Sequence, residues 1–168
     1  ARIASGRVNR GGAVVWLYEL ASALDHVHAE GFVHRDVKPA NVMIDEANGG
    51  RAVLVDFGLA TEHQPRARSA PSAFVMGTPE YMAPEQAFAS DRVDARADVY
   101  AVGAMLYELL TGRRPAEGAD AQQIATLVVA GRVVPLRDLD PSISPALAAT
   151  IHRAMAPDAA SRHATVAE

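Results

Sequence analysis

Between Asp94 and Thr111 the sequence reads DARADVYAVGAMLYELLT, and this stretch constrains the fold more than any other. Val102, Met105, Leu106, Leu109 and Leu110 recur at helical spacing, and Gly112 offers the left-handed turn that commonly ends a helix. The apolar run AVGAMLYELL falls well short of the roughly 20 residues that span a bilayer, and it contains Glu108. It is therefore read as a core helix, expected to be the most buried in the chain.

The rest of the sequence supplies elements to pack around it. From Gly12 to Glu30, Leu17, Ala21, Leu24 and His28 alternate at spacings of four and three, one stripe of an amphipathic helix that Gly31 ends. FVH, VMID and AVLVDF read as short strands, with a hairpin at Asn48-Gly49-Gly50, giving a small sheet beside that helix. Residues Gly58 to Pro84 hold no sustained period and are dense in Pro, Ser, Gly and Arg, which predicts a functional loop. Asp120 to Ala130 and Pro145 to Met155 read as further helices, with Pro135 and Pro141 in the loop between them. The sum is a mainly helical α+β fold within one domain of 168 residues, without internal repeats.

Composition narrows the functions. With 49% hydrophobic and 21% charged residues the chain is an ordinary globular one. A net charge of −4 gives no electrostatic reason to expect nucleic acid or an anionic membrane as partner. The absence of cysteine excludes disulfides, thiolate metal sites and cysteine nucleophiles, and suits a reducing compartment. The chain starts at Ala1 and stops at TVAE, where Thr165 reads as the N-cap of a helix with almost no residues. It is therefore expected to be part of a longer protein.

Residues 34–41, HRDVKPAN, place a polar cluster between two apolar runs. By itself a His-Arg-Asp triplet is most often a solvated turn. Three further stretches follow it: Asp56-Phe57-Gly58 after the apolar AVLV, Gly77-Thr78-Pro79-Glu80-Tyr81, and then Ala83-Pro84-Glu85. In this order and spacing they resemble the catalytic-loop, magnesium and activation-segment signatures of bacterial serine/threonine protein kinases, with Val37 where Leu is usual. The resemblance covers essentially the whole chain. It implies a protein-kinase-like fold represented by its large helical lobe, with short β-hairpins near the catalytic loop. No G-x-G-x-x-G loop or V-A-I-K-like strand stands in this sequence, so residues 1–168 are expected to form a partial kinase domain without the small lobe.

The resemblance also implies a reaction and its residues. ATP would give its γ-phosphate to Ser or Thr hydroxyls of protein substrates, with Mg²⁺ or Mn²⁺ as metal. Asp36 would orient the hydroxyl and accept its proton, and Lys38 would meet the moving phosphate. Asn41 and Asp56 would hold the metal, and Met43 would form the floor under adenine. His34 is expected to be a packed structural residue stacked with Phe57 next to Gly58, and Asp98 to accept N–H bonds from the catalytic loop. Glu85 and Arg162 are expected to form a mostly buried ion pair. Met43, Met105 and Leu109 are read as core residues.

Arg35 is the regulatory candidate, able to pair with a phosphate on Ser72 or, second, Ser69, while Thr78 is assigned to substrate register. A second copy of the kinase, phosphorylating in trans, is the partner this implies. The kinase domain is expected in the cytoplasm, with any membrane anchor outside this chain. The alternatives are a pseudokinase-like binding module and an aminoglycoside-type phosphotransferase. Against them stand, respectively, the presence of Asp36, Asn41 and Asp56 together, and the APE segment with Lys38. Because the groups that clamp the triphosphate are missing from this sequence, the chain alone is expected to transfer phosphate only at background rate.

Overall fold

The structure, a computed structural model, describes residues 10–56, 61–62, 79–87 and 93–168. Helix α1 spans Arg10–Ala29 and is followed by strand β1, Phe32–Val33. Strands β2, Val42–Asp45, and β3, Arg51–Leu54, form an antiparallel hairpin, and β4 is Thr61–Glu62. The helices that follow are α2 (Pro84–Ala87), α3 (Arg96–Thr111), α4 (Ala121–Val129), α5 (Leu136–Leu139) and α6 (Pro145–Ala154).

Helix α3 is the centre of the molecule. Its first three turns are buried almost all round, from Ala97 through Met105, and Gly112 ends it in the left-handed conformation at φ 69°. Leu106, Leu109 and Leu110 are only half-buried and pack against the edge of the core, so the deepest part of the helix is its N-terminal half. Tyr100, Tyr107 and Met105 fill the centre with Leu20 and Leu24 of α1, Leu136 of α5 and Ile151 of α6. Each such side chain contributes about 1.5–3 kcal/mol by leaving water. Gly103 lets α6 approach closely, since a Cβ there would lie 2.9 Å from both Ala154 Cβ and Met155 Cγ.

Local signals set the helix boundaries. Asp120 accepts the Gln123 N–H at 2.8 Å to cap α4, and Ser144 accepts the Leu147 N–H at 3.2 Å to cap α6, where Pro145 occupies the first turn. Between them the chain makes one unforeseen turn of helix, α5, with Leu136 fully buried. Helix α1 lashes the hairpin down: Trp16 Nε1 donates to the Gly50 carbonyl at 2.7 Å, and Glu19 accepts the Ala52 N–H at 2.7 Å.

Three expectations need correction. The strands do not make one sheet: β2 pairs with β3, whereas β1 pairs separately with β4, in a stretch that had read as loop. Two-residue strands carry too little alternation to be seen in a sequence. Met43 is not a core residue. It is 52% exposed, because on a strand whose Val42 and Ile44 point inward the residue between them must point out. Thr165 starts no helix, and the N–H groups of Val166 and Ala167 instead donate to the Asp25 carboxylate on α1, at 2.9 and 3.2 Å.

Candidate active site

The polar cluster of residues 34–41 connects β1 to β2, and α3 sets its geometry. Asp98 lies in the first turn of α3 and is fully buried, a position that is costly for a carboxylate unless donors surround it. Three donors do. The backbone N–H of His34 reaches Oδ2 at 2.9 Å, that of Arg35 reaches Oδ1 at 2.8 Å, and His28 Nε2 on α1 lies 2.7 Å from Oδ2. The N-terminal end of the helix dipole favours the same negative charge. The loop is thus bolted to the core helix through its main chain.

Asp36, Lys38 and Asn41 meet next to this anchor. Lys38 Nζ donates to Asp36 Oδ2 at 2.7 Å, and Asn41 Nδ2 donates to the same oxygen at 3.0 Å and to the Asp36 carbonyl at 2.8 Å. None of these bonds reaches Asp36 Oδ1. Because Asn41 spends its amide nitrogen on acceptors, its amide oxygen is the atom left to face a ligand. Pro39–Asn41 form a single 3₁₀ turn that brings Asn41 back under Asp36. His34 is fully buried, and its Nδ1 accepts the Asp36 N–H at 3.3 Å, so it orients the Asp36 backbone.

Asp56 arrives from the other arm of the hairpin. The Val55 N–H donates to the Asn41 carbonyl at 2.9 Å, which sets Asn41 and Asp56 at the same end of β2 and β3. Among the described residues, only Arg35 and Asp56 take positive φ without being glycine, both at 68°. Such backbone strain tends to concentrate at functional sites. One amide oxygen and one exposed carboxylate are a donor set suited to a hard divalent cation that keeps several waters, as Mg²⁺ does. Met43 and its cross-strand neighbour Val53 form an exposed apolar pair on the same hairpin.

Around this group lie the supports. Arg162 is buried and donates in parallel to Glu85, from Nη1 to Oε1 at 2.7 Å and from Nη2 to Oε2 at 2.8 Å. Arg35 directs Nη2 toward the Val93 carbonyl at 3.5 Å. Burial pulls its proton affinity below the usual guanidinium range, and the charge of Asp98 opposes that pull. Phe57, Gly58, Ser69, Ser72 and Thr78 lie outside the described residues, and so does the expected stacking of His34 on Phe57.

Sequence reasoning missed two residues here. His28 had been taken as one more member of the buried stripe of α1, and the signal was available: a histidine on an apolar stripe needs a buried partner, and Asp98 is that partner. Gln86, whose Nε2 donates to the Arg35 carbonyl at 2.8 Å, carries no signal in a single sequence.

A mainly helical lobe that presents a carboxylate, an ammonium and an amide from one loop, beside a second carboxylate at the end of a hairpin, has the architecture of the protein-kinase class of phosphotransferases. Comparison with known proteins agrees. The protein kinase domain model matches residues 3–167, and the chain belongs to that family. It is 40% identical over 164 residues to serine/threonine-protein kinase Pkn1 of Myxococcus xanthus, covering 94% of this chain and 23% of that protein. It is 38% identical over 156 residues to serine/threonine-protein kinase PknB of Mycobacterium leprae, covering 93% of this chain and 25% of the relative. To serine/threonine-protein kinase pkn2 of Myxococcus xanthus it is 39% identical over 142 residues, covering 83% and 17%. The chain therefore spans about a quarter or less of the length of these relatives. Among the described residues no helix is long and apolar enough to cross a membrane.

Proposed function

We propose that this chain is the catalytic lobe of a serine/threonine protein kinase, transferring the γ-phosphate of ATP to Ser and Thr hydroxyls of protein substrates. The observation that carries the reading is the convergence of Lys38 and Asn41 on Oδ2 of Asp36, which leaves Oδ1 open beside an ammonium. In the reaction an acceptor hydroxyl donates to Asp36 Oδ1, which aligns its oxygen for in-line attack and takes its proton as the new bond to the γ-phosphorus forms and the bond to the β,γ-bridging oxygen breaks, releasing ADP. Lys38 holds positive charge where the transferring phosphoryl oxygens gather negative charge. Asn41 and Asp56 would hold Mg²⁺, which supplies neutralisation of the phosphate oxygens. The exposed Met43 gives the adenine ring an apolar surface to lie on.

Arg35 extends the proposal to regulation, with a phosphate on Ser72 or Ser69 pairing with its guanidinium and ordering the activation segment. A second copy of the kinase is the partner that would deliver that phosphate, and the cytoplasm is the compartment that supplies ATP. The 168 residues alone are proposed to work near background, because their sequence holds no Gly-rich loop or strand lysine to clamp the triphosphate.

The test is phosphate transfer from labelled ATP to a Ser/Thr-rich protein substrate by the full-length protein, with Asp36→Asn as control. Loss of about 10²–10⁴-fold in rate is expected for the variant, the usual contribution of a positioned base. Equal rates in wild type and Asp36→Asn would overturn the assignment. Nucleotide binding by a wild type that never transfers phosphate would favour a binding module instead.

A further inference from the structure

We propose that Gln86 is a positioning residue for phosphate transfer, fixing the peptide between Arg35 and Asp36 so that the Asp36 carboxylate points at its substrate. The inference rests on the kinase reading above and concerns a residue outside the catalytic group.

Arg35 adopts φ 68°, a conformation that a side chain with a Cβ disfavours and that neighbouring groups must enforce. Its N–H is held by Asp98 at 2.8 Å, which secures the near side of the residue. The far side is the peptide that leads into Asp36. The N–H of that peptide donates to His34 Nδ1 at a long 3.3 Å, and its carbonyl accepts from Gln86 Nε2 at 2.8 Å. The Gln86 bond is the shorter of the two and therefore the main restraint on the plane of this peptide. That plane sets the direction in which the Asp36 side chain leaves the main chain.

Gln86 is itself held in place. Its Oε1 accepts the Ala83 N–H at 3.0 Å, and because Ala83 can only donate and the Arg35 carbonyl can only accept, the orientation of the amide is settled by its partners. A single planar group thus ties the segment of residues 83–87 to the strained loop. Glutamine has both the donor and the acceptor this requires. Glutamate can keep the Ala83 bond but has no proton for Arg35, and asparagine is one methylene too short to span both.

The experiment uses the full-length protein and compares wild type with Gln86→Glu, followed by kcat, KM for ATP and amide hydrogen exchange at Asp36. Positioning predicts that kcat falls on the order of tenfold, the worth of one buried hydrogen bond, with KM for ATP unchanged. A purely structural role, in which Gln86 merely holds Ala83, predicts wild-type kcat for Gln86→Glu, and that result overturns the proposal. Should the glutamate variant fail to fold, Gln86→Asn, which cannot span both partners, is read by exchange alone: faster exchange at the Asp36 N–H supports the proposal, and unchanged exchange overturns it. If wild type transfers no phosphate, the kinase reading fails on its own, and the exchange measurement decides for Gln86. Faster exchange at the Asp36 N–H in the variant then supports the proposal, and unchanged exchange overturns it.

Discussion

Two arginines hold the segment of residues 79–87, by the same chemistry in opposite surroundings. Arg162 has a side chain that is 0% exposed, and all five of its N–H groups are used: two on Glu85, and one each on the carbonyls of Arg96, Ala156 and Pro157. Its guanidinium also sits 5.0 Å from the ring centroid of Tyr100, whose hydroxyl burial pushes up to about 12, so that the ring faces the cation uncharged. Arg114 is 47% exposed. It meets Glu80 at 2.5 Å and Glu108 at 3.6 Å, while the Tyr81 hydroxyl donates to Glu108. Pairing alone does not make an anchor. Enclosure does, because only an enclosed charge has no water to return to when its partner is lost.

That contrast can be broken in order of size. Arg162→Ala should cost about 3–5 kcal/mol, since it removes a fully enclosed cation that satisfies the largely covered Glu85 and three backbone carbonyls. Denaturant unfolding of wild type and variant checks this, and equal midpoints would show that burial is not what separates the two arginines. Arg162→Lys keeps the charge but loses the planar fork, and should cost about 1.5–3 kcal/mol, the worth of a charge-assisted hydrogen bond. A lysine variant as stable as wild type would mean that charge alone suffices.

Arg114→Ala should change stability less, by about 0.2–1 kcal/mol, and by less still in high salt, because water reaches the half-exposed guanidinium even though Glu80 is largely covered. A loss as large as that of Arg162→Ala would erase the comparison. The smallest effect sets the baseline for pH. His152 lies outside both arginine sites, and its Nε2 accepts the Leu136 N–H at 3.1 Å, which requires the neutral ring. Burial lowers its proton affinity below the usual 6.5. The unfolded chain therefore takes up the proton first. This contribution to stability should be complete above about pH 6.5 and be lost as the pH falls through the lower folded value. In His152→Ala that part of the pH dependence should disappear from the stability curve.

The sequence showed most readily what repeats or what is joined by a motif. The long helices could be read from their stripes and stops, as with Leu24 on α1 and Gly112 after α3. The strands β2 and β3 could be read from the turn between them. The pairing of β1 with β4 could not, because two residues show no period and their partners are remote in the chain. At the site, motif order alone groups Asp36, Lys38, Asn41 and Asp56, and in the fold they lie at one end of the hairpin. The supports His28 and Gln86 stayed hidden because they act through single bonds to residues 70 and 51 positions away. Nothing local in a sequence records such a bond. Met43 shows a third limit: its residue type says core, but strand alternation turned it outward.

Asp98 has a consequence for the order of events during folding. Its three donors stand 70, 64 and 63 positions earlier in the chain, so its carboxylate is satisfied only after a long stretch of polypeptide has closed on itself. Closing so long a loop costs entropy that must be spent before the bonds repay it, which makes these contacts slow to form. Residues 34 and 35 then take their final shape only once α1 and α3 have docked. The loop of residues 34–41 is not a preformed fragment waiting for a scaffold. A partly folded chain lacks it altogether, and the shape of this loop becomes a report that the helical core is complete.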